Sequence, residues 1–114
     1  MTAPERGDLV WLDFDPQAGR EQSGRRPALV MSPRSYHQVS SLMIVCPITS
    51  THRGYPFEVA LPEGLRIQGF VLVDQVKSLD RHVRRVEPAG RVPDRIVEEV
   101  IARLLPLLTT GRLI

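Results

Sequence analysis

Short apolar runs separated by glycine, proline and polar residues fill most of this chain, and they constrain its fold more than any other feature. Runs of this length predict β-strands rather than long helices. The run from Leu42 to Ile48 is nearly all apolar, which predicts a central strand buried on both faces. Phe57 to Leu61 alternates with period two, as a half-buried strand does. The remaining predicted strands are Leu9 to Phe14, Pro27 to Ser32, Gly69 to Val73 followed by Val76, and Val83 to Val86.

The last part of the chain has a different periodicity. Pro93 and Asp94 suit the first turn of a helix. The apolar residues that follow share one helical face: Ile96, Val97, Val100, Ile101, Leu104, Leu105 and Leu108. We expect Pro106 to kink this helix or end it early. The prediction is one domain over residues 1–114, a small, mainly β barrel of five to seven strands with a C-terminal α-helix.

Composition excludes several classes of protein. Hydrophobic residues make up 42% and charged residues 25%, as in ordinary globular domains. No run approaches the roughly 18 apolar residues of a membrane span. Met1 to Asp8 is too polar for a secretory signal, so we expect a cytoplasmic protein with no membrane partner. The single cysteine, Cys46, excludes an internal disulfide and is expected to be buried.

Charge points weakly to an anionic partner, because the formal net charge is only +2. The cations cluster, however, and nearly all are arginines, which suit bidentate phosphate contacts. A genomic preference for arginine codons is an open alternative. The clusters are Arg20, Arg25, Arg26 and Arg34, and Lys77, Arg81, Arg84, Arg85 and Arg91. His37, His52 and His82 lack metal-ligand spacing and are expected to be surface or loop residues, so no metal or cofactor is predicted.

Two segments could carry chemistry that needs no metal. RNA supplies its own nucleophile, the 2′-hydroxyl, so an enzyme needs a cation at the phosphate, a proton acceptor and neutral hydrogen-bond donors. The segment from Arg20 to Arg26 supplies charged groups, and Thr49 to Thr51 supplies hydroxyls at a strand end. Taken separately, each segment also fits a plain structural role, as a solvated turn and a turn cap.

Several blocks, in order and with fitting spacing, resemble the MazF/PemK-type toxins of type II toxin–antitoxin systems. The blocks are Gly7 to Trp11, Asp13 to Pro16, Glu21-Gln22, Arg26 to Ala28, Ser32-Pro33, Pro47 to Ser50, Gly54 to Val59 and Asp74 to Ser78. The resemblance runs from residue 7 to about residue 79. It implies an SH3-like barrel that forms a homodimer.

The resemblance also implies an activity. Such toxins are sequence-specific, metal-independent endoribonucleases that cut single-stranded mRNA and so inhibit translation and growth, a stress response. The expected products carry a 2′,3′-cyclic phosphate and a 5′-hydroxyl. The expected partner is a cognate MazE-like antitoxin with an acidic C-terminal tail that occupies the RNA groove.

The family's site residues map onto this chain by motif. The active-site arginine that precedes a proline is Arg26, and the threonine at the end of the third strand is Thr49. Arginine is a poor general base, so we assign Arg26 to the phosphate and its transition-state charge and Thr49 to a non-bridging oxygen. Glu21 matches a glutamate implicated in some members and is the expected base.

Further residues are expected to bind the RNA: Arg25, Ser50, Tyr55, Asp74, Gln75, Lys77, Arg84 and Arg85. Asp74 matches an aspartate of PemK-like members, but the arginine that these place two residues earlier is Leu72 here, which favours a MazF-like site. Asp74-Gln75 could instead hold a loop, and the arginines from 81 to 85 could be a solvated edge strand. Tyr55 is a candidate stacking platform, whereas Trp11 and Phe57 are expected in the core.

Three other functions stay open from the sequence. A CcdB-like gyrase inhibitor has a similar barrel, but its tryptophan-containing tail has no counterpart in Gly111 to Ile114. A plain RNA-binding SH3-like module would not need Glu21, Arg26 and Thr49 in matching places. A homologue that has lost its catalysis would keep the fold alone.

Overall fold

A computed structural model describes residues 3–14, 19–22 and 24–109 of the chain, so part of the first loop and the last five residues, including Gly111 to Ile114, lie outside the description. Within the described residues the chain forms seven strands, two α-helices and one 3₁₀-helix. The strands are β1 (Asp8–Asp13), β2 (Arg25–Val30), β3 (Leu42–Thr49), β4 (Glu58–Ala60), β5 (Phe70–Leu72), β6 (Lys77–Asp80) and β7 (Glu87–Arg91). The helices are α1 (Arg34–His37), the 3₁₀-helix (Val73–Gln75) and α2 (Asp94–Leu108).

All strand pairs are antiparallel, in the order β4-β5-β3-β2-β1-β7, and β6 pairs with the first half of β3. The long strand β3 is central: β2 lies along one edge, and β6 and then β5 lie along the other. Among the described strands, β4 and β7 each pair with one neighbour only, so the barrel is open. The predicted fold, up to seven strands with a C-terminal helix, is confirmed.

Residues of β1, β2 and β3 pack into two cores, one on each face of the sheet. Leu9, Leu29 and Ile48 face the core that α2 covers with Ile96 and Val100. Their strand neighbours face the opposite core: Val10, Leu12, Phe14, Ala28, Val30, Met43 and Val45. Each fully buried Leu, Val or Phe side chain stabilises the fold by about 1.5–3 kcal/mol. The alternation of the two sets therefore fixes the register of β1 and β2.

Strand β3 follows its prediction over only part of its length. From Val45 to Thr49 every residue is buried, as expected. Before Val45 the pattern alternates, and Leu42 and Ile44 remain 38% and 37% exposed. The first half of β3 therefore presents apolar side chains to solvent.

The last two strands differ from the prediction. Val83 to Val86 is not a strand, and Val83 is 75% exposed. The strand instead begins at Glu87, where β7 pairs with β1, and β6 forms earlier, where Lys77 to Asp80 pairs with β3. Both strands lie along the edge of an already formed sheet, so pairing with a neighbour overrides their weak intrinsic strand preference.

Helix α2 begins at Asp94, as predicted, but it does not end at Pro106 and runs on to Leu108. Proline at this position lacks only one backbone hydrogen bond, the one that its own N–H would donate to the carbonyl of Ala102, and the helix ends two residues later. Ile96, Val97 and Val100 are buried, whereas Leu105 and Leu108 are 53% and 69% exposed. No helix in the described part of the chain is long and apolar enough to cross a bilayer.

His37 is buried, and its prediction as a surface or loop residue is wrong. Its Nδ1 lies 2.7 Å from the carbonyl oxygen of Pro4, and its Nε2 lies 2.7 Å from the hydroxyl of Ser32. A carbonyl only accepts, so Nδ1 donates its N–H to Pro4. Ser32 in turn accepts from the backbone N–H of Ile44 at 2.9 Å. The histidine thus fastens the N-terminal segment to β3.

Candidate active site

Arg26 and Thr49 line the same open groove, as the motif predicted. The β2–β3 pairing ends with Ala28 opposite Pro47, and Arg26 and Thr49 lie two residues beyond this pair, at the same end of the two strands. The groove, called here the Arg26 groove, has a volume of about 460 Å³. Its lining residues are Trp11, Arg25, Arg26, Pro27, Ile48, Thr49, Ser50, Arg66, Ile67 and Gln68.

The hydroxyl of Thr49 is held in place by the backbone of the turn that follows it. Thr49 is buried, and its Oγ1 accepts a hydrogen bond from the backbone N–H of Thr51 at 3.2 Å. This contact uses a lone pair, so the hydroxyl proton remains available for a ligand in the groove. Ser50, the next residue, is exposed and adds a second hydroxyl beside it.

Gly69 packs directly against the backbone of Thr49. Its φ is +127°, and a Cβ at this position would lie 2.3 Å from the Thr49 carbonyl oxygen and 3.4 Å from Ser50 Cα. Neither the conformation nor the space accepts a larger residue. The end of β3 and the start of β5 therefore approach closely where Thr49 enters the groove.

A second groove, called here the Tyr55 groove, contains the remaining predicted RNA-binding residues of the loops. Its volume is about 430 Å³, and it is lined by Arg20, Glu21, Arg53, Tyr55, Asp74 and Gln75. The Tyr55 hydroxyl donates to Asp74 Oδ1 at 2.7 Å. Burial, followed by this hydrogen bond and the Asp74 charge, raises the pKa of Tyr55 to about 12. Tyr55 therefore stays a neutral, oriented ring at physiological pH.

Gln75 has the loop-holding role that the sequence left open for the Asp74-Gln75 pair. Its Oε1 accepts the backbone N–H of Gln22 at 2.9 Å, which ties the first loop to the 3₁₀-helix. Asp74 binds the side chain of Tyr55 rather than a loop backbone.

Glu21 lies apart from Arg26 and Thr49. It lines the Tyr55 groove, and its Oε1 pairs with Lys77 Nζ at 3.0 Å. The two grooves share no lining residue. The structure therefore brings together two of the three predicted catalytic residues and places the third beside the predicted RNA-binding residue Lys77.

Two of the other predicted RNA-binding arginines contact the chain itself. Arg25 pairs with Asp13 at 3.7 Å and with Glu87, and it donates to the Arg85 carbonyl at 2.8 Å. Arg84 donates to the carbonyls of Asp13 and Asp80 at 3.2 and 3.1 Å.

Arg85 differs from them because its side chain is 71% exposed, although its Nε pairs with Glu87 at 3.1 Å. Of these three arginines it is the one that can most easily reach a phosphate in solvent.

Sequence reasoning missed Glu58, a buried carboxylate that supports the loop between β3 and β4. It accepts the backbone N–H groups of Arg53 and Gly54 at 3.0 and 2.8 Å and pairs with His52 at 2.9 Å. Burial opposes ionisation, but the Gly54 and Arg53 hydrogen bonds and the nearby cations lower the pKa of Glu58 below its ordinary 4.5. The burial of Glu58 could not be predicted, because a charged residue in a strand of alternating pattern is expected to face solvent.

Arg66 and Gln68 were also missed, although both line the Arg26 groove. They lie in the turn before β5, and no motif marks them in the sequence.

The aromatic residues are placed close to expectation. Trp11 and Phe57 are partly buried and pack against the core, and Trp11 also lines the Arg26 groove. Tyr55 contacts Phe57 edge to face, with ring centroids 5.9 Å apart.

Cys46 is buried as predicted, and burial raises the pKa of its thiol to about 12, so it is a poor nucleophile. Among residues 3–14, 19–22 and 24–109, no group of three or more His, Cys, Asp and Glu side chains is arranged to hold a metal ion.

The open antiparallel barrel, with a groove lined by an arginine and a threonine, places this chain among small β-barrel proteins. A model of the family "PemK-like, MazF-like toxin of type II toxin-antitoxin system" matches residues 5–108. The chain therefore belongs to this toxin family, as its motifs predicted.

Known relatives agree with this assignment. The endoribonuclease toxin MazF of Escherichia coli K12 is 40% identical over 105 residues, covering 92% of this chain and 94% of that protein. The crystal structure of MazF (Form-I) from Deinococcus radiodurans is 52% identical, with a TM-score of 0.88, and the match covers 92% of this chain and 96% of that one. A MazE–MazF structure (Form-II) from the same organism is 51% identical, with a TM-score of 0.83, over 95% and 97% of the chains.

Proposed function

We propose that this chain is the endoribonuclease toxin of a type II toxin–antitoxin system, cutting single-stranded mRNA at a short sequence without a metal ion. The observation that carries the proposal is the Arg26 groove, which the motif arginine and threonine line together from two adjacent strands. Membership of the toxin family and the names of relatives such as E. coli MazF, an endoribonuclease, support it.

The proposed chemistry is attack of the RNA 2′-hydroxyl on the neighbouring phosphorus. The proton of the 2′-hydroxyl passes to a general base, the P–O bond to the 5′-oxygen breaks, and that oxygen takes up a proton from water, leaving a 2′,3′-cyclic phosphate and a 5′-hydroxyl. Arg26 would stabilise the charge that develops on the phosphate, and the available Thr49 proton would bind a non-bridging oxygen. Donors of this kind each contribute about 10²–10³-fold to rate in other enzymes.

Glu21 remains the proposed general base for the 2′-hydroxyl. Its Oε1 accepts a hydrogen bond from Lys77 Nζ at 3.0 Å, and a carboxylate is a chemically suitable proton acceptor for this step. Its place in the Tyr55 groove means that RNA binding has to bring Glu21 and the scissile phosphate together.

The RNA would extend from the Arg26 groove to the Tyr55 groove. Tyr55 offers a neutral ring on which an unpaired base can stack, and Asp74 holds that ring in place. Ser50, Gln75 and Lys77 would supply hydrogen bonds along the path. Arg25, Arg84 and Arg85 are proposed to contact the RNA backbone, with Arg85 the most exposed of the three.

We further propose that the protein is a homodimer that acts on mRNA in the cytoplasm, within a single toxin domain over residues 1–114. Its proposed inhibitor is a MazE-like antitoxin whose acidic C-terminal tail competes with RNA for the cationic groove. The MazE–MazF structure from D. radiodurans supports such a partner. Apolar side chains exposed on β3 and α2 are available for protein contacts.

The proposal is tested by incubating purified protein with a long single-stranded RNA in excess EDTA and mapping the fragment ends. The wild type should produce discrete cuts with 5′-hydroxyl ends. Arg26→Ala should lose activity by at least two orders of magnitude. Arg95→Ala removes an exposed arginine from α2 and should cut like the wild type.

Intact RNA with well-folded wild-type protein would contradict the proposal. It would favour the gyrase-inhibitor or RNA-binding alternatives. Full activity of Arg26→Ala would contradict the assignment of the site while leaving the endoribonuclease in place.

A further inference from the structure

The turn between β4 and β5 forms one wall of the Arg26 groove. Arg66, Ile67 and Gln68 from this turn line the groove together with Arg26 and Thr49. The turn belongs to none of the sequence blocks that resemble the toxin family. Its polar side chains, Arg66 and Gln68, are exposed and do not pack in the core.

Arg66 has no hydrogen-bonding or ionic partner among the described residues, and its side chain is exposed. Arg25, on the same groove, is instead neutralised by Asp13 and Glu87. A guanidinium without an acidic partner in a groove is suited to a phosphate, which it can bind through two parallel hydrogen bonds.

Gln68 adds a group that can distinguish bases. Its Nε2 donates to the Leu65 carbonyl at 2.6 Å, which orients the amide while leaving a carbonyl oxygen and a second N–H for a ligand. A side-chain amide that presents both a donor and an acceptor matches a base edge.

The turn is held rigidly against the catalytic strand. Ile67 is buried in the core that α2 covers, and the Leu61 N–H donates to the Gly69 carbonyl at 2.9 Å, closing the base of the turn. Gly69 then packs on the Thr49 backbone. Arg66 and Gln68 are therefore positioned relative to Thr49 before RNA binds, which reduces the entropy cost of recognition.

We propose that this turn determines the cut site: Arg66 binds an RNA phosphate next to the scissile one, and Gln68 reads the edge of an adjacent base. The inference rests on the proposed endoribonuclease function and concerns its substrate specificity. It assigns to the turn a recognition role separate from the chemistry of Arg26 and Thr49.

The test compares Arg66→Ala and Gln68→Ala with two controls, Arg95→Ala and Gln38→Ala, which remove exposed residues of the same types outside both grooves. Arg66→Ala should raise KM about ten-fold with little change in kcat. It should also reduce the salt dependence of RNA binding. The negative slope of the logarithm of the association constant against the logarithm of the salt concentration should become shallower by about 0.7, the value for one phosphate on a single strand. A purely structural change would not move this slope.

Gln68→Ala should leave the salt slope unchanged and broaden the cut motif at one position. Discrimination at that position should fall by about five-fold to a hundred-fold in sequencing of fragment ends from a random RNA pool. Gln38→Ala should reproduce the wild-type motif.

Unchanged KM, salt slope and motif in both turn variants, with wild-type cleavage intact, would overturn the inference and leave the proposed function standing. If the wild type fails to cut RNA, the proposed function fails instead. The turn is then tested by fluorescence anisotropy on single-stranded RNA, where equal binding by Arg66→Ala and Arg95→Ala would overturn it.

Discussion

Identical side chains have different roles in this protein because their neighbours differ. Arg84 binds two backbone carbonyls and fastens the segment before β7 to β1, whereas Arg66 has no partner in the described residues and faces the Arg26 groove. In the sequence alone, Arg84 and Arg66 look alike, because each is an arginine in a polar stretch. The arginines from 81 to 85 looked more like an RNA-binding surface than Arg66 did because they are clustered. The role of each arginine depends on the hydrogen-bond acceptors around it. For Arg84 these are carbonyls at the ends of β1 and β6, which local sequence does not reveal.

Glu58 should make the loop between β3 and β4 sensitive to acid. Its pKa is lowered in the folded protein, so the unfolded chain binds the proton first as the pH falls. The stability that its ionised form provides is present above a pH of about 4.5, the ordinary value, and is lost as the pH falls through the folded pKa. Urea unfolding of the wild type at about pH 6 and about pH 3.5 should show this loss.

Glu58→Gln isolates this contribution because it keeps the shape and removes the charge. The variant should be less stable than the wild type at about pH 6, and it should lose less stability on acidification. Glu63→Gln, at an exposed glutamate in the next turn, is the control and should behave like the wild type. An equal loss on acidification for the wild type and Glu58→Gln would contradict this account.

At the level of elements, the contact between Gly69 and Thr49 joins the start of β5 to the end of β3 that carries Thr49, a proposed catalytic residue. Gly69→Ala should destabilise the protein by about 2 kcal/mol or more, since it adds a steric overlap with the Thr49 carbonyl to the strain of a positive φ. It should also lower kcat by about ten-fold or more, because displacement of a catalytic group is costly. Urea unfolding and single-turnover cleavage measure the two effects.

Gly64→Ala provides the matched control. Gly64 also has a positive φ, +91°, but its Cβ would meet nothing within 4 Å. The substitution should therefore cost only about 1 kcal/mol of backbone strain and leave kcat unchanged. Equal effects of the two substitutions on kcat would show that Gly69 does not position Thr49.

The elements that sequence predicted well are those with a strong hydrophobic pattern. Leu9 to Leu12, Leu42 to Ile48 and the start of α2 carry it, and the structure has β1, β3 and α2 there. Strand β7 contains a proline and a glycine, and β6 has a single large apolar residue, Leu79. Their strand conformation comes from pairing with β1 and β3, which are distant in sequence, so local pattern could not predict it.

For the whole molecule, the exposed apolar side chains favour association. Leu42 and Ile44 on β3 and Leu105 and Leu108 on α2 remain accessible in the single chain. We expect light scattering at micromolar concentration to give twice the chain mass of 12.8 kDa. A mass of 12.8 kDa at the concentration of the cleavage assay would contradict the proposed homodimer.

The candidate active site could be predicted from the sequence only in part. Motif order identified Arg26 and Thr49, and strand register brings them to one groove. The same motifs placed Glu21 with them, but the structure puts it in the Tyr55 groove, since Lys77 lies within 3.0 Å. Arg66 and Gln68 had no signal because their proximity to Thr49 depends on the β3–β5 pairing.

The central claim, that the RNA's own 2′-hydroxyl is the nucleophile at the Arg26 groove, is tested most directly with a modified substrate. A synthetic RNA containing one mapped cut site is compared with the same RNA carrying a single 2′-deoxynucleotide 5′ to the scissile phosphate, both in excess EDTA. The account predicts that the unmodified RNA is cut to a 2′,3′-cyclic phosphate and the deoxy-substituted RNA stays intact at that site. Cleavage of the substituted RNA at the same bond would contradict it.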